Sequence, residues 1–261
     1  MKAQKFRYPA AALIAFCFLG GASAQNGAMK DLLGETATAG AAAQARKATP
    51  DIPIPHNINS DDEFAYIDPS KIVPQKPLKI ALKYYKLLRR YPENRLYVHI
   101  AGSQFETPSL ENAKLRSLRY LSVIDFTQHN KKKRFYLIDM ATGQVEQLLV
   151  AHGQGSDPYK TGYATAFSNI DSQHTSSLGF YMTDNTYNGD NGYSLRLDGL
   201  SETNSNARTR AIVIHGAKYV RAGGRSWGCP AVEPSKLHKL VAKIKGGSLI
   251  YAYHENFSRE K

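Results

Sequence analysis

Cysteine is nearly absent from this chain, with two among 261 residues, Cys17 and Cys229. That excludes a disulfide framework. Long apolar runs are as scarce. The one that exists, over residues 10–19, is too short to cross a bilayer comfortably, so a polytopic membrane protein is excluded. Glycine and proline are not in excess, at 20 and 12 residues, which excludes collagen-like and wholly disordered chains. The His-Glu-x-x-His and paired Cys-x-x-Cys spacings of common zinc sites are missing too.

What the chain has in quantity is positive charge, a formal +12 from 34 Lys+Arg against 22 Asp+Glu. That charge points to a polyanionic partner, nucleic acid or an anionic cell wall. The N-terminus decides between them. Lys2, Lys5 and Arg7 precede the apolar run, Gly20-Gly21 breaks it, and Ala22-Ser23-Ala24 reads as a small-residue cleavage site. This is the layout of a secretory signal peptide over residues 1–24. Ile14-Ala15-Phe16 lacks the small residue expected before a lipidated cysteine at Cys17. Removing the signal would take three of the basic residues and no acidic ones, leaving +9. The expected location is therefore periplasmic or secreted. Anionic envelope polymers are the expected electrostatic partner, nucleic acid is not a partner, and the mature chain is not an integral membrane protein. Cys229 then stands as the single cysteine of the mature chain, a costly thing to export unless buried or used.

Residues 25–76 are Ala-rich and then Pro-broken, and read as a flexible segment. Residues 77–117 read as a helical extension. Leu78, Leu82, Tyr85 and Leu88 recur at helical spacing up to Pro92, and a shorter helix is expected over Ser109–Arg116. From 118 to 256 the period shifts to that of strands, with a hairpin around Gln128–Lys132 and further strands over 144–151, 178–183, 194–197, 211–215 and 248–253. A helix starts at Pro234 and stops at Gly246-Gly247. Residues 153–176 read as a long loop. The expectation is a mainly β domain with a few short helices.

The chemistry gathers at two places. His215 closes the apolar run Ala211-Ile-Val-Ile, and Cys229 sits in Gly223-Gly-Arg-Ser-Trp-Gly-Cys-Pro230. A strand-end imidazole and a loop thiol make a general base and a nucleophile for acyl transfer. An imidazolium beside the sulfur would lower the thiol pKa. Gly228 admits substrate to the backbone, and the N–H groups of Gly228 and Cys229 are candidate oxyanion donors, worth about 3 kcal/mol each. The carbonyl of Gly216 can fix the His215 tautomer. His152, Asp157 and His174 could be sketched with His215 as a zinc site, but their spacing matches no recognised pattern.

His215-Gly216 followed by Ser226-x-Gly228-Cys229 resembles the signature of the murein L,D-transpeptidase catalytic domain family. Further blocks of the resemblance are Lys133–Asp139, Val150–Asp157, Ser176–Tyr181, Gly192–Gly199, Arg225–Ala231 and Gly246–Tyr251. The resemblance implies an L,D-transpeptidase-like β-sandwich or barrel. It also implies acyl transfer on peptidoglycan stem peptides through a Cys229 thioester on the tetrapeptide stem, with release of D-Ala, and no cofactor or metal. In that reading Cys229 is the nucleophile, His215 the base and Gly216 its orienting carbonyl, with Ser226, Trp227 and Gly228 supporting the loop and oxyanion site. Pro230-Ala231 stands where many relatives carry an apolar residue followed by Arg or Asn. Arg225, Arg221 and Arg196 are the candidates for anchoring substrate in compensation, and Tyr193 and His152 are candidates for lining the substrate cleft. Two other readings remain open in the sequence: an L,D-carboxypeptidase using water with the same pair, and a non-catalytic wall-binding protein.

Overall fold

The computed structural model describes residues 63–90 and 115–257. The signal-like stretch and most of the Ala/Pro-rich segment lie outside the described residues. So does nearly all of the short helix expected over Ser109–Arg116, and its described end, Leu115 and Arg116, is not helical.

The domain is mainly β. Seven strands form one hydrogen-bonded sheet: β1 (Tyr120–Asp125), β2 (Phe135–Asp139), β3 (Val145–Leu148), β4 (Gly179–Gly189), β5 (Gly192–Gly199), β6 (Val213–His215) and β7 (Leu249–Tyr253). Their spatial order is β3-β2-β1-β7-β4-β5-β6. The C-terminal strand β7 lies at the centre, parallel to β1 and antiparallel to β4. Every other pairing is antiparallel.

Residue alternation along the central strands feeds two cores, as a strand's period of two requires. On one face Leu121, Val123, Phe180, Met182, Leu249 and Tyr251 pack under α1 (Gln75–Arg90). Tyr84 stacks on Phe180 at 3.9 Å, Phe180 stacks on Tyr251 at 4.3 Å, and the Tyr85 hydroxyl donates to the Leu118 carbonyl at 2.6 Å. Each fully buried side chain of this kind contributes roughly 1.5–3 kcal/mol. On the other face Ile124, Leu137, Leu195, Leu197, Ile250 and Ala252 meet α2 (Pro234–Ile244) through Leu237, Leu240, Val241 and Ile244. Cys229 belongs to this second core. Among the described residues no helix is long and apolar enough to cross a membrane.

The expected flexible segment needs one correction. Residues 63–74 are packed: Ile67 and Val73 are buried, and the Asp68 carboxylate accepts the N–H groups of Ile72 and Val73 at 2.8 and 2.7 Å. Ile67 and Val73, with the half-buried Phe64 and Tyr66 packed against the same core, dock it ahead of α1.

Candidate active site

Two chain segments meet at the short edge strand β6. His215 is its last residue, paired with Ser194 of β5. The segment after Cys229 runs alongside, with Val232 N–H donating to the His215 carbonyl at 2.9 Å and Ala217 N–H to the Val232 carbonyl at 2.9 Å. The loop that carries Cys229 is thereby anchored, three residues beyond the sulfur, to the strand that carries the imidazole.

The turn that presents Cys229 is closed by Ser226. Its hydroxyl donates to the Cys229 carbonyl at 2.6 Å and accepts from Gly228 N–H at 3.1 Å. Gly228 sits at φ +120°, and a Cβ there would lie 2.7 Å from the Thr175 carbonyl, so only glycine fits. This corrects one expectation. Gly228 N–H is held by Ser226, so Cys229 N–H is the turn's remaining candidate oxyanion donor. It has no hydrogen-bond partner among the described residues.

Cys229 is 8% exposed and its thiol donates to the Ala211 carbonyl at 3.7 Å. Ala211 holds a left-handed φ of +51°, unusual for a residue with a Cβ. Burial pushes the Cys229 thiol above its ordinary pKa, opposed by Val213 N–H and by the charge of Arg210. His215 is 5% exposed, and burial lowers its pKa. The Gly216 carbonyl 3.4 Å from Nδ1 opposes that shift. A carbonyl only accepts, so this contact assigns the proton to Nδ1 and makes Nε2 the basic nitrogen. Both shifts favour neutral partners. Desolvation outweighs the nearby charges at both groups, which disfavours the thiolate and imidazolium expected from the sequence.

The candidate substrate-holding residues are engaged elsewhere. His152 is fully buried, its Nδ1 2.9 Å from the Arg134 guanidinium and its Nε2 3.5 Å from Asp157. It does not line a cleft. Its pKa falls to about 4 through burial and then the charge of Arg134. His152 matters to the site through its backbone: its carbonyl accepts from Ser226 N–H at 2.8 Å, and Gln154 N–H donates to the Ser226 carbonyl at 2.7 Å. Arg225 donates to the carbonyls of Gln154 and Asp157, so it ties loop to loop. Arg196 lies over the Tyr187 ring at 4.0 Å, and Tyr193 stacks on His238 of α2 at 4.5 Å. Arg221 pairs with Glu233 at 2.8 Å on the surface. The Trp227 ring, 72% exposed, faces outward and gives the oxyanion site no support of its own. Among the described residues no three His, Cys, Asp or Glu side chains converge on a metal position, so the sketched zinc set does not assemble.

Sequence reasoning missed Arg210. Its guanidinium donates to the carbonyls of Ser168 and Thr175 at 2.9 and 2.7 Å and to Ser177 Oγ at 3.2 Å. It lies 3.5 Å from where a Gly228 Cβ would stand. It is the cation whose field reaches the sulfur. Its position depends on carbonyls some 35–42 residues upstream, so no local motif announces it.

The family model of the L,D-transpeptidase catalytic domain matches residues 95–253. No curated protein sequence matches the chain. Among solved structures, an L,D-transpeptidase from Mycobacterium smegmatis is similar at 11% identity and TM-score 0.34, over 52% of this chain and 58% of its own. An L,D-transpeptidase from Xylanimonas cellulosilytica aligns at 15% identity and TM-score 0.31, over 58% and 65%. The helical cell shape determining protein Pgp2 of Campylobacter jejuni aligns at 14% and 0.33, over 69% and 56%. The chain thus spans less than two thirds of the length of each of these solved relatives.

Proposed function

The chain belongs to the L,D-transpeptidase catalytic domain family, a family of peptidoglycan-modifying enzymes, and from that premise we propose that it is a peptidoglycan L,D-transpeptidase working through a thioester on Cys229. One observation carries the reading. A buried cysteine, fixed on a turn by Ser226 and Gly228, is pinned beside the strand that ends in a tautomer-defined His215.

The steps follow from the neutral pair. A tetrapeptide stem brings its scissile carbonyl to the sulfur. His215 Nε2 takes the thiol proton as Sγ attacks, so charge appears only when substrate has replaced water. The tetrahedral oxyanion is met by Cys229 N–H, with the Arg210 charge nearby. The C–N bond breaks, D-Ala leaves with the proton from His215, and Cys229 holds the acyl group as a thioester. An amine of a second stem attacks the thioester, His215 accepts its proton, and Sγ departs to recover it. Water in place of that amine gives the carboxypeptidase product.

Export to the periplasm or beyond belongs to the same proposal, supported by the signal-like residues 1–24 and by the location of the substrate. The test is incubation with tetrapeptide-stem muropeptides, read by mass. Release of D-Ala with formation of dimers supports transpeptidation, and trimmed tripeptide monomers alone would mean hydrolysis. Turnover that survives in Cys229→Ala would remove the assignment.

A further inference from the structure

Trp227 is the single tryptophan of the chain, and it is 72% exposed in the very turn that presents Cys229. A residue type usually well buried is here held out in solvent. Its neighbours show how. Ser226 and Gly228 on either side are fixed by hydrogen bonds, which hold the backbone of the turn that carries the indole. One ring face is covered by His174, stacked at 5.0 Å and 15°. The imidazole is itself braced, with Gln154 Nε2 2.9 Å from Nδ1 and the backbone of His174 in the left-handed region at φ +52°. Gly153 and Gly155 accommodate this, because a Cβ on either would run into the backbone carbonyl of His174 or Gln173. The Gly-x-Gly spacing after His152 therefore seats an imidazole under an indole, and the second face of that indole remains open.

We propose that the open face of Trp227, backed by His174, is a carbohydrate subsite that stacks a pyranose ring of the glycan strand. This rests on the peptidoglycan reading and names what the site grips beyond the stem. The chemistry favours a sugar. An aromatic face is electron-rich and attracts the row of weakly positive C–H bonds on one side of a pyranose, and a rigid platform gives that contact at little entropic cost. The stem offers no ring of its own to stack. The distances agree. Trp227 and Cys229 are two residues apart, at most about 7 Å between Cα atoms. The scissile carbonyl of a tetrapeptide stem belongs to its third residue, so an extended stem spans about 10 Å from the sulfur to its first residue, with the lactyl link and the sugar just beyond, within reach of the indole.

The lone tryptophan makes the test direct. The full chain is titrated with the stem-free disaccharide of N-acetylglucosamine and N-acetylmuramic acid, with indole emission followed. Separately, KM is compared for free tetrapeptide and for disaccharide-tetrapeptide. The proposal expects a saturable change in emission and a KM about tenfold lower for the disaccharide-linked stem. Trp227→Ala should bring the KM ratio to about one, Trp227→Phe should keep part of it, and His174→Ala should lower it. Equal KM values for the two substrates in the unsubstituted protein would overturn the proposal, as would unchanged emission or an emission change driven by free tetrapeptide alone. The two readings fail separately. D-Ala released from both substrates with equal KM sinks the sugar subsite and leaves the catalytic reading standing. An emission change with disaccharide but no turnover of either stem sinks the catalytic reading and supports the subsite.

Discussion

The thiol of Cys229 points at the carbonyl of Ala211, 3.7 Å away, and that carbonyl is presented by a backbone held at φ +51°. A residue with a Cβ in that region costs of order 1–2 kcal/mol relative to its relaxed conformation. The strain sits where it gives the buried S–H an acceptor other than the imidazole. Burial and this contact both favour the protonated thiol, the form less open to oxidation than an exposed thiolate.

A neutral thiol–imidazole pair has a characteristic pH profile. With His215 lowered and Cys229 raised from their ordinary values, kcat/KM should rise through an acid limb lying below about 6.5 and stay level across neutrality. Iodoacetamide labelling of Cys229 in the absence of substrate should be slow at neutral pH and accelerate only in the alkaline range. Fast labelling in mildly acidic solution would indicate a preformed ion pair instead.

Arg210 should set how readily the sulfur ionises. The side chains whose charge or ionisation couples to Cys229 are Arg210 and the hydroxyls of Tyr181 and Tyr219. Replacing Arg210 by Gln removes the one cation among them, so alkylation at a fixed neutral pH should slow roughly threefold to tenfold. Arg210→Lys should recover part of the rate. Equal rates in all three proteins would show that the guanidinium only ties carbonyls together.

Gly228→Ala tests the turn itself. The new Cβ meets the Thr175 carbonyl in a backbone region that side chains avoid. The expected cost is about 2 kcal/mol in urea unfolding and a loss of kcat of roughly 100-fold, since displacements of about an ångström at the nucleophile are enough for that. Ser226→Ala should cost about 1–3 kcal/mol by leaving buried partners unmatched, with a smaller loss of kcat.

His152 predicts the acid limb of stability. Its pKa is about 4 in the folded protein, below the ordinary imidazole value of 6.5. Between those values the unfolded chain binds the proton more readily, so stability is full above about 6.5 and falls as the pH drops toward 4, by about 3 kcal/mol. His152→Gln should flatten that part of the curve measured by urea midpoints. An unchanged slope would assign the acid sensitivity to His215 and His254, whose pKa values burial also lowers.

Much of the scaffold could be read from the chain because its signals are local. The continuous β-rich apolar runs Phe135–Asp139 and Leu249–Tyr253 and the Pro234 start and Gly246 stop of α2 depend on neighbours in sequence. His215 and Cys229 were legible as chemical types for the same reason. What was not legible depends on packing through space. The Gly-rich setting of His152 suggested a cleft, yet Arg134 comes from the hairpin and buries it. Arg225 and Arg196 looked available for substrate until loop carbonyls and Tyr187 claimed them. The direction of each pKa shift was illegible as well, because it follows from how much water the finished fold excludes.

The most direct measurement is the intact mass of the chain after exposure to a carbapenem, with the adduct mapped to a peptide. An acylating sulfur served by His215 predicts a single stable adduct on Cys229, greatly slowed in His215→Ala and absent in Cys229→Ala. An unmodified protein, or an adduct that persists without Cys229, would contradict the account.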